Sequence, residues 1–428
     1  MSRILFQAAK EYLGKKIYYK SKIRAINENS IRVKPPTLIQ KQCMNILLKI
    51  LSKIKYGRIT LTLPDKKTLS FGEPQFSEVF VKINDYSFFT KTLLEGEIGF
   101  GDAYVAGIWE TDNLIGFLEV LHRNLQTIYH LISILSWPKH LYNKFLHKLK
   151  SNTIKQSKKN IQEHYDLSNE MFFLFLDDNK VYSSAIFKSA NETLEQAQLN
   201  KLSAIIQKAE LNSEDHVLEI GSGWGGFAKE AVKQTDCRVT SVTISKEQYD
   251  YVSQSIKNDK IHFKLSDYRH IEGKYDKIVS IEMLEAVGYE HLKTYFKQCE
   301  KLLNDNGLAV IQVITYPDQL YELYKNDTDW IKKNIFPGGH LPSMKELIHT
   351  ISHNTCFVLE SVENIGKHYA KTLQVWCDRF LANKDKILEL GFNESMVRKW
   401  VYYFTCCEMI FDLRYIHVVQ IVLRKVPK

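Results

Sequence analysis

The sequence predicts a doubly wound α/β, Rossmann-like domain preceded by a smaller α+β domain. Two observations carry this. From residue 216 onward, apolar runs at 216–221, 238–245, 261–266, 275–283 and 306–315 alternate with helical stretches, the pattern of a parallel sheet with crossover helices. The first of these runs ends in Gly221, Gly223, Gly225 and Gly226 and passes at once into a helical segment, Phe227 to Lys233. Such a strand, glycine turn and helix form a ligand-handling unit, because glycine lets the backbone approach a bound molecule closely.

In chain order, residues 1 to about 58 mix apolar and basic positions, and Cys43 to Lys55 has a helical period with lysines on one side, suited to burial or to a bilayer surface. Arg58 to Pro64 and Lys67 to Phe71 flank a Pro-Asp-Lys-Lys turn and predict a hairpin. Val79 to Ile83 predicts a strand, and Tyr86 to Gly96 a helix. A short helix over 99–110, closing on Gly107, and another from Leu114 to Arg123 complete a small α+β domain, residues 1–135. The basic segment 136–160, containing Pro138, predicts a linker, and 161–428 the larger domain. Within it, 161–172 predicts a helix carrying His164 and Tyr165, 180–187 an irregular apolar stretch, and Thr193 to Ala209 an amphipathic helix. Phe357 to Ile365 and His417 to Val426 predict a terminal antiparallel pair.

Composition narrows the function. At 428 residues, 25% charged and 44% apolar, the chain has the make-up of an ordinary soluble protein with room for two cores. Its seven cysteines form no Cys-x-x-Cys pair, so free thiols in a reducing compartment are expected and no metal site is proposed. No stretch reaches the roughly 18 apolar residues of a spanning helix, which predicts a cytoplasmic protein, or one attached to a membrane from outside. The formal charge of +9 is unevenly placed: no acid lies between Glu119 and Glu163, an interval with Lys139, Lys144, Lys148, Lys150, Lys155, Lys158 and Lys159. Such a block suits a polyanion or is a solvated face. Trp137, Leu141, Tyr142, Phe145, Leu146 and Leu149 among the lysines favour an anionic membrane surface over nucleic acid.

The glycine turn alone fits several ligands. A dinucleotide site would place an acid at the end of the second strand to hold a ribose; Arg238 to Ser245 ends in hydroxyls and Lys246 instead. Glu-x-Gly-x-Gly-x-Gly from Glu219 to Gly225, with a third strand ending in Ser266-Asp267-Tyr268, better fits S-adenosylmethionine. Ligands of such sheets lie beyond the strand tips, which nominates Gly221 to Gly225, Thr243, Asp267 with Tyr268, Glu282 with Glu285, and Gln312 with Ile314.

Several stretches together resemble one family: 164–169, Tyr182-Ser-Ser184, Leu218 to Gly226, Thr243 to Gln248, Asp267-Tyr-Arg269, Glu282 to Gly288, Phe336-Pro-Gly-Gly339, Tyr369 to Leu373 and Tyr403 to Cys407. They resemble the cyclopropane-fatty-acyl-phospholipid synthases, from about residue 160 to the end, and Gly99 to Asn124 is similar to that family's lipid-binding domain. The resemblance implies a class I methyltransferase fold and methylene transfer from S-adenosylmethionine to the cis double bond of a membrane phospholipid acyl chain, with bound bicarbonate as base. It implies that Tyr182 and Ser183 meet the methionine end of the cofactor, that Leu218, Glu219, Gly221, Gly223 and Gly225 cradle it, that Thr243 and Gln248 hold the ribose, and that Asp267 and Tyr268 flank the adenine. Glu285, Tyr369 and the Ile314 N–H match bicarbonate ligands. Gln312 stands where a histidine is usual and Ser184 where a cysteine is usual; both still donate hydrogen bonds. A carboxylate beside an anion repels it when ionised, so Glu285 is expected to be protonated or to share a proton.

Cys407 matches a cysteine sometimes assigned as the active-site residue, although the chemistry needs no thiol nucleophile and a lining role is the other reading. The aromatic residues Trp376, Phe380, Trp400, Tyr402, Tyr403 and Phe404 are expected to wall an acyl slot. Members of the family often pair, so a homodimer is expected. Alternative products are methyl- or methylene-branched acyl chains, and alkaloid N-methyltransferases resemble the same catalytic half.

Overall fold

A computed structural model of the chain describes residues 34–74, 77–125 and 168–427. The basic segment 136–160, His164 and Tyr165 lie outside the described residues. The described residues form two compact units, one holding those of 34–125 with 393–406 and the other 168–392 with 407–427.

In the first unit the predicted hairpin forms from β1 (Arg58–Thr62) and β2 (Thr68–Gly72). Its turn is held by the Asp65 carboxylate accepting from the Lys67 N–H at 3.1 Å, with Lys66 at φ 69°. β3 (Glu78–Ile83) alternates strictly, burying Val79, Val81 and Ile83, and pairs in parallel with β1, while β4 (Trp109–Thr111) pairs antiparallel with β3. The sequence reads two helices around Gly96, and the structure agrees: Gly96, at φ 62° and ψ −143°, is non-helical and divides Ser87–Val105 into two helices, the second ending before Gly107 so that Trp109 enters the sheet. Trp109 is fully buried against Phe88, Phe100 and Phe117. Residues 393–406 join this unit: the Arg398 guanidinium donates to the carbonyls of Tyr104 (2.6 Å) and Trp109 (2.8 Å), and Tyr402 packs on Tyr104. Trp400, Tyr402, Tyr403 and Phe404 are therefore core of a body other than the one holding Trp376 and Phe380.

The second unit is built on a seven-stranded sheet in the order β10-β11-β9-β8-β5-β6-β7. The strands are β5 (His216–Ile220), β6 (Arg238–Thr243), β7 (Ile261–Leu265), β8 (Tyr275–Ile281), β9 (Leu303–Thr315), β10 (Phe357–Asn364) and β11 (His417–Lys425). β9, β8, β5, β6 and β7 are parallel neighbours, whereas β11 runs antiparallel to both β9 and β10. The doubly wound reading and the terminal antiparallel pair are thus both found. Strand order reverses at β5, which lies between β6 and β8, and this reversal opens a crevice at the strand tips. Helices cover both faces. Leu194–Lys208, capped by Thr193, and Gly226–Thr235 pack with Val217 and Val239, while Leu292–Leu302 and Met344–Asn354 pack with Leu218, Ile220 and Ile311. Among the described residues, no helix is long and apolar enough to cross a membrane.

Candidate active site

At the β5 tip the N–H groups of Gly221 and Ser222 both donate to the Val242 carbonyl, at 2.9 and 3.0 Å, which clamps the turn to β6. Gly221 has φ 99°, and a Cβ there would stand 3.1 Å from the Met283 side chain. Gly223 has φ 48° and open space where a Cβ would go, so a ligand can reach the backbone on that side. Trp224 is buried and donates from its indole N–H to the Asn169 side-chain oxygen at 2.9 Å, anchoring the turn to the helix Asn169–Phe173. At the β6 tip the Thr243 hydroxyl donates to the Gln248 side-chain oxygen at 2.8 Å, and Ser245 caps the helix Lys246–Ser255. These two expected ribose ligands are therefore one preassembled pair.

Beyond β7 the Asp267 carboxylate takes two bonds from the Arg269 guanidinium, at 2.9 and 2.6 Å. Burial would raise its pKa, but the bonds and charge of Arg269 outweigh burial and hold it below the usual range. The Tyr268 ring turns into the core against Tyr295, leaving its backbone near the strand tips. Leu218 is fully buried in the same core. Glu219 is also buried; it accepts a 2.5 Å bond from the Ser241 hydroxyl, and burial pushes it up to about 8.

The carboxylate pair follows β8. Glu282, at φ 49°, accepts at Oε1 from the Ser184 N–H (2.9 Å) and the Gln312 amide (2.7 Å), and the Tyr369 hydroxyl hydrogen-bonds it as well. Glu285 accepts at Oε1 from the Ile314 N–H at 2.6 Å, while its buried Oε2 has no hydrogen-bond partner. Burial, and then the charge of Glu282, push Glu285 up to about 8. Burial raises Glu282 too, but its donors and Lys201 oppose that. The donors and Lys201 around Glu282 favour the pair's charge there, and burial with that charge favours the proton on Glu285. Tyr369 is buried and held well above the usual tyrosine range by burial and by Glu282, so it stays a donor; Cys407 lies within electrostatic reach of it.

Gln312 in turn accepts at Oε1 from the Gln420 amide at 2.9 Å, across the β9–β11 register. The Ser184 hydroxyl donates to the Ala185 carbonyl at 3.2 Å. Tyr182 packs on Phe172 and Trp376 with centroids 5.3 and 5.1 Å away, and Tyr369 meets Trp376 edge-on at 5.9 Å, so aromatic rings wall this end. The structure thus gathers Ser184, Glu282, Glu285, Gln312, Ile314 and Tyr369, and Met283 joins that cluster to the glycine turn. Among the described residues, no group of His, Cys, Asp or Glu could hold a metal ion.

Two residues the motif reading passes over belong to this architecture. Gln198 donates to the Ser183 carbonyl at 2.8 Å, and Lys201, fully buried, donates to the Ser183 hydroxyl at 2.8 Å. Their signal in the sequence is a lysine on the core-facing stripe Leu194, Ala197, Lys201, Ile205.

The buried acids make stability depend on pH. Glu219 binds its proton more tightly folded than unfolded, so this contribution is complete below about pH 4.5 and lost as the pH rises through about 8. Lys201, depressed to about 8 by burial, acts in the separate window above that value and with the opposite slope. Urea midpoints between pH 5.5 and 8 are expected to fall with pH less steeply in Glu219→Gln than in the parent, by up to about 1.4 kcal/mol per pH unit. Identical slopes would show that Glu219 does not hold the proton.

Comparison with known proteins agrees with this architecture. The family model described as mycolic acid cyclopropane synthetase matches residues 152–421. A tuberculostearic acid methyltransferase of Mycobacterium tuberculosis is 34% identical over 336 residues, covering 76% of this chain and 78% of that protein. The cyclopropane-fatty-acyl-phospholipid synthase of Escherichia coli is 34% identical over 359 residues, covering 81% and 87%. A solved mycolic acid cyclopropane synthase complexed with SAH and CTAB is 32% identical with TM-score 0.59, covering 63% of this chain and 98% of that one.

Proposed function

The chain belongs to the mycolic acid cyclopropane synthetase family and is an S-adenosylmethionine-dependent methyltransferase of the cyclopropane synthase type; on that premise we propose that it adds a methylene group across the cis double bond of an unsaturated phospholipid acyl chain. One observation supports this above the others: a buried carboxyl pair, Glu282 and Glu285, ringed by Tyr369, Gln312, Ser184 and the Ile314 N–H, flanks Met283, whose side chain lies against Gly221 of the glycine turn.

S-adenosylmethionine supplies an electrophilic methyl group, and a bicarbonate ion supplies a base for the proton that methyl must lose. The group that fits a small anion is the Glu285 carboxyl, whose buried Oε2 has no partner; Gln312, Tyr369 and the Ile314 N–H donate to carboxylate oxygens and would have to share those bonds with the ion. In the proposed reaction the turn from Gly221 to Gly225 and the Thr243–Gln248 pair hold the nucleotide end. Asp267, neutralised in part by Arg269, accepts from the adenine amine. An alkene is a weak nucleophile, so it must be held in line with the methyl in a dry slot; Tyr182, Tyr369 and Trp376 exclude water there. Glu285 would keep its proton on Oε2 and donate a hydrogen bond to the base, holding that base in place without like-charge repulsion.

The proposal extends to the membrane. The first unit and the basic segment 136–160 would seat the enzyme on an anionic leaflet, each lysine near the surface adding about 1 kcal/mol, and two copies would pair there.

Incubation with methyl-labelled S-adenosylmethionine and vesicles of a monounsaturated anionic phospholipid is expected to place label in the lipid. Proton spectra of the product should lose the olefinic signals and gain cyclopropane methylene signals. A branched methyl signal would replace the ring product by a branched chain, and label captured only by an added amine would overturn the lipid reading.

A further inference from the structure

The segment from Asp177 to Ser184 has no regular secondary structure, yet it is held from below at every turn. The Asp177 carboxylate accepts from the N–H groups of Asn179 (2.9 Å) and Val181 (2.8 Å). Gln198 takes the Ser183 carbonyl, and Glu282 takes the Ser184 N–H. Lys201 is the least expected member. It is fully buried, with an ammonium 2.8 Å from the Ser183 hydroxyl, and the acids within electrostatic reach of it are Glu282, Asp177 and Glu219. Burying a lysine is costly unless its charge is used.

The geometry of Ser183 shows one use. An ammonium only donates, so the Ser183 oxygen must be the acceptor, and its own proton is left to give. Ser183 is buried, and no acceptor for that proton exists among the described residues. The segment carrying it adjoins Glu282 through Ser184 and the aromatic wall through Tyr182. We propose that Lys201 is a positioning residue that fixes Ser183 as a polarised donor to the carboxylate of the amino-acid end of the adenosyl ligand. Glu282, facing the same ammonium, keeps it charged in place. The inference rests on the methyltransferase reading above.

Calorimetry with two ligands tests it: S-adenosylhomocysteine, which has the amino-acid end, and 5′-methylthioadenosine, which lacks it. In the full chain, Lys201→Met and Ser183→Ala are each expected to weaken S-adenosylhomocysteine by about 10- to 100-fold and to change 5′-methylthioadenosine by less than about twofold. The double variant should be no worse than the weaker single one, because the lysine acts through the serine. Equal losses for both ligands would show that Lys201 only shapes the pocket, and additive losses would show that it acts elsewhere; either overturns the inference. If the buried methionine unfolds the chain, Ser183→Ala must still show the split between ligands, and its absence is decisive against the proposal. A parent chain that binds neither ligand would bring down the methyltransferase reading itself, and the inference with it.

Discussion

Replacing Glu285 by alanine is expected to lower kcat by about 100- to 10,000-fold while shifting S-adenosylhomocysteine affinity by less than about threefold. The carboxyl sits in a turn that touches both the donor cluster and, through Met283, the glycine turn. Its Oε1 is committed to the Ile314 N–H, and its buried Oε2 has no partner and is where the proposed reaction needs a donor. Glu285→Gln separates a donated hydrogen bond from a transferred proton. The glutamine amide can accept from Ile314 and donate where the carboxyl would hold its proton, so turnover is expected to recover well above the alanine variant. Steady-state methyl transfer to lipid vesicles measures both, and a glutamine variant as slow as alanine would show that a donated hydrogen bond is not what Glu285 supplies.

Gly221→Val is expected to weaken S-adenosylhomocysteine binding at least about 30-fold. The backbone there has φ 99°, which costs a branched side chain roughly 1–2 kcal/mol or more, and a Cβ would press on Met283 at 3.1 Å. Relief requires the turn to leave the Val242 carbonyl or the 282–285 turn to retreat, and both spoil the crevice. Calorimetry beside a far-ultraviolet spectrum checks this: the fold should persist while binding fails. Parental affinity in the valine variant would mean that the turn does not contact the ligand.

Much of this was legible in the sequence because sheet strands announce themselves locally. The runs that became β5 to β9 are short, apolar and bounded by polar loops, and Val79, Val81 and Ile83 alternate as a half-buried strand must. What stayed hidden depended on distant partners. Residues 393–406 look like the continuation of the catalytic domain, and their allegiance shows in Arg398 reaching Tyr104 and Trp109 and in Tyr402 packing on Tyr104. Tyr268 carries the motif position, yet its ring answers to Tyr295. Lys201 hid within an amphipathic helix, where a lysine is normally assigned to solvent. The pairing of Gln312 with Gln420 spans more than a hundred residues, and no local pattern foretells it.

The antiparallel β11 has a consequence for how the protein comes into being. It slots between β9 and β10, so on a ribosome both neighbours emerge well before the strand that must part them. Until His417–Lys425 has been translated, β9 presents a bare, apolar edge open to pairing with another nascent chain. Gln312 also lacks its Gln420 brace until then, so the biosynthetic order makes catalytic competence a late event and chaperone cover an early need.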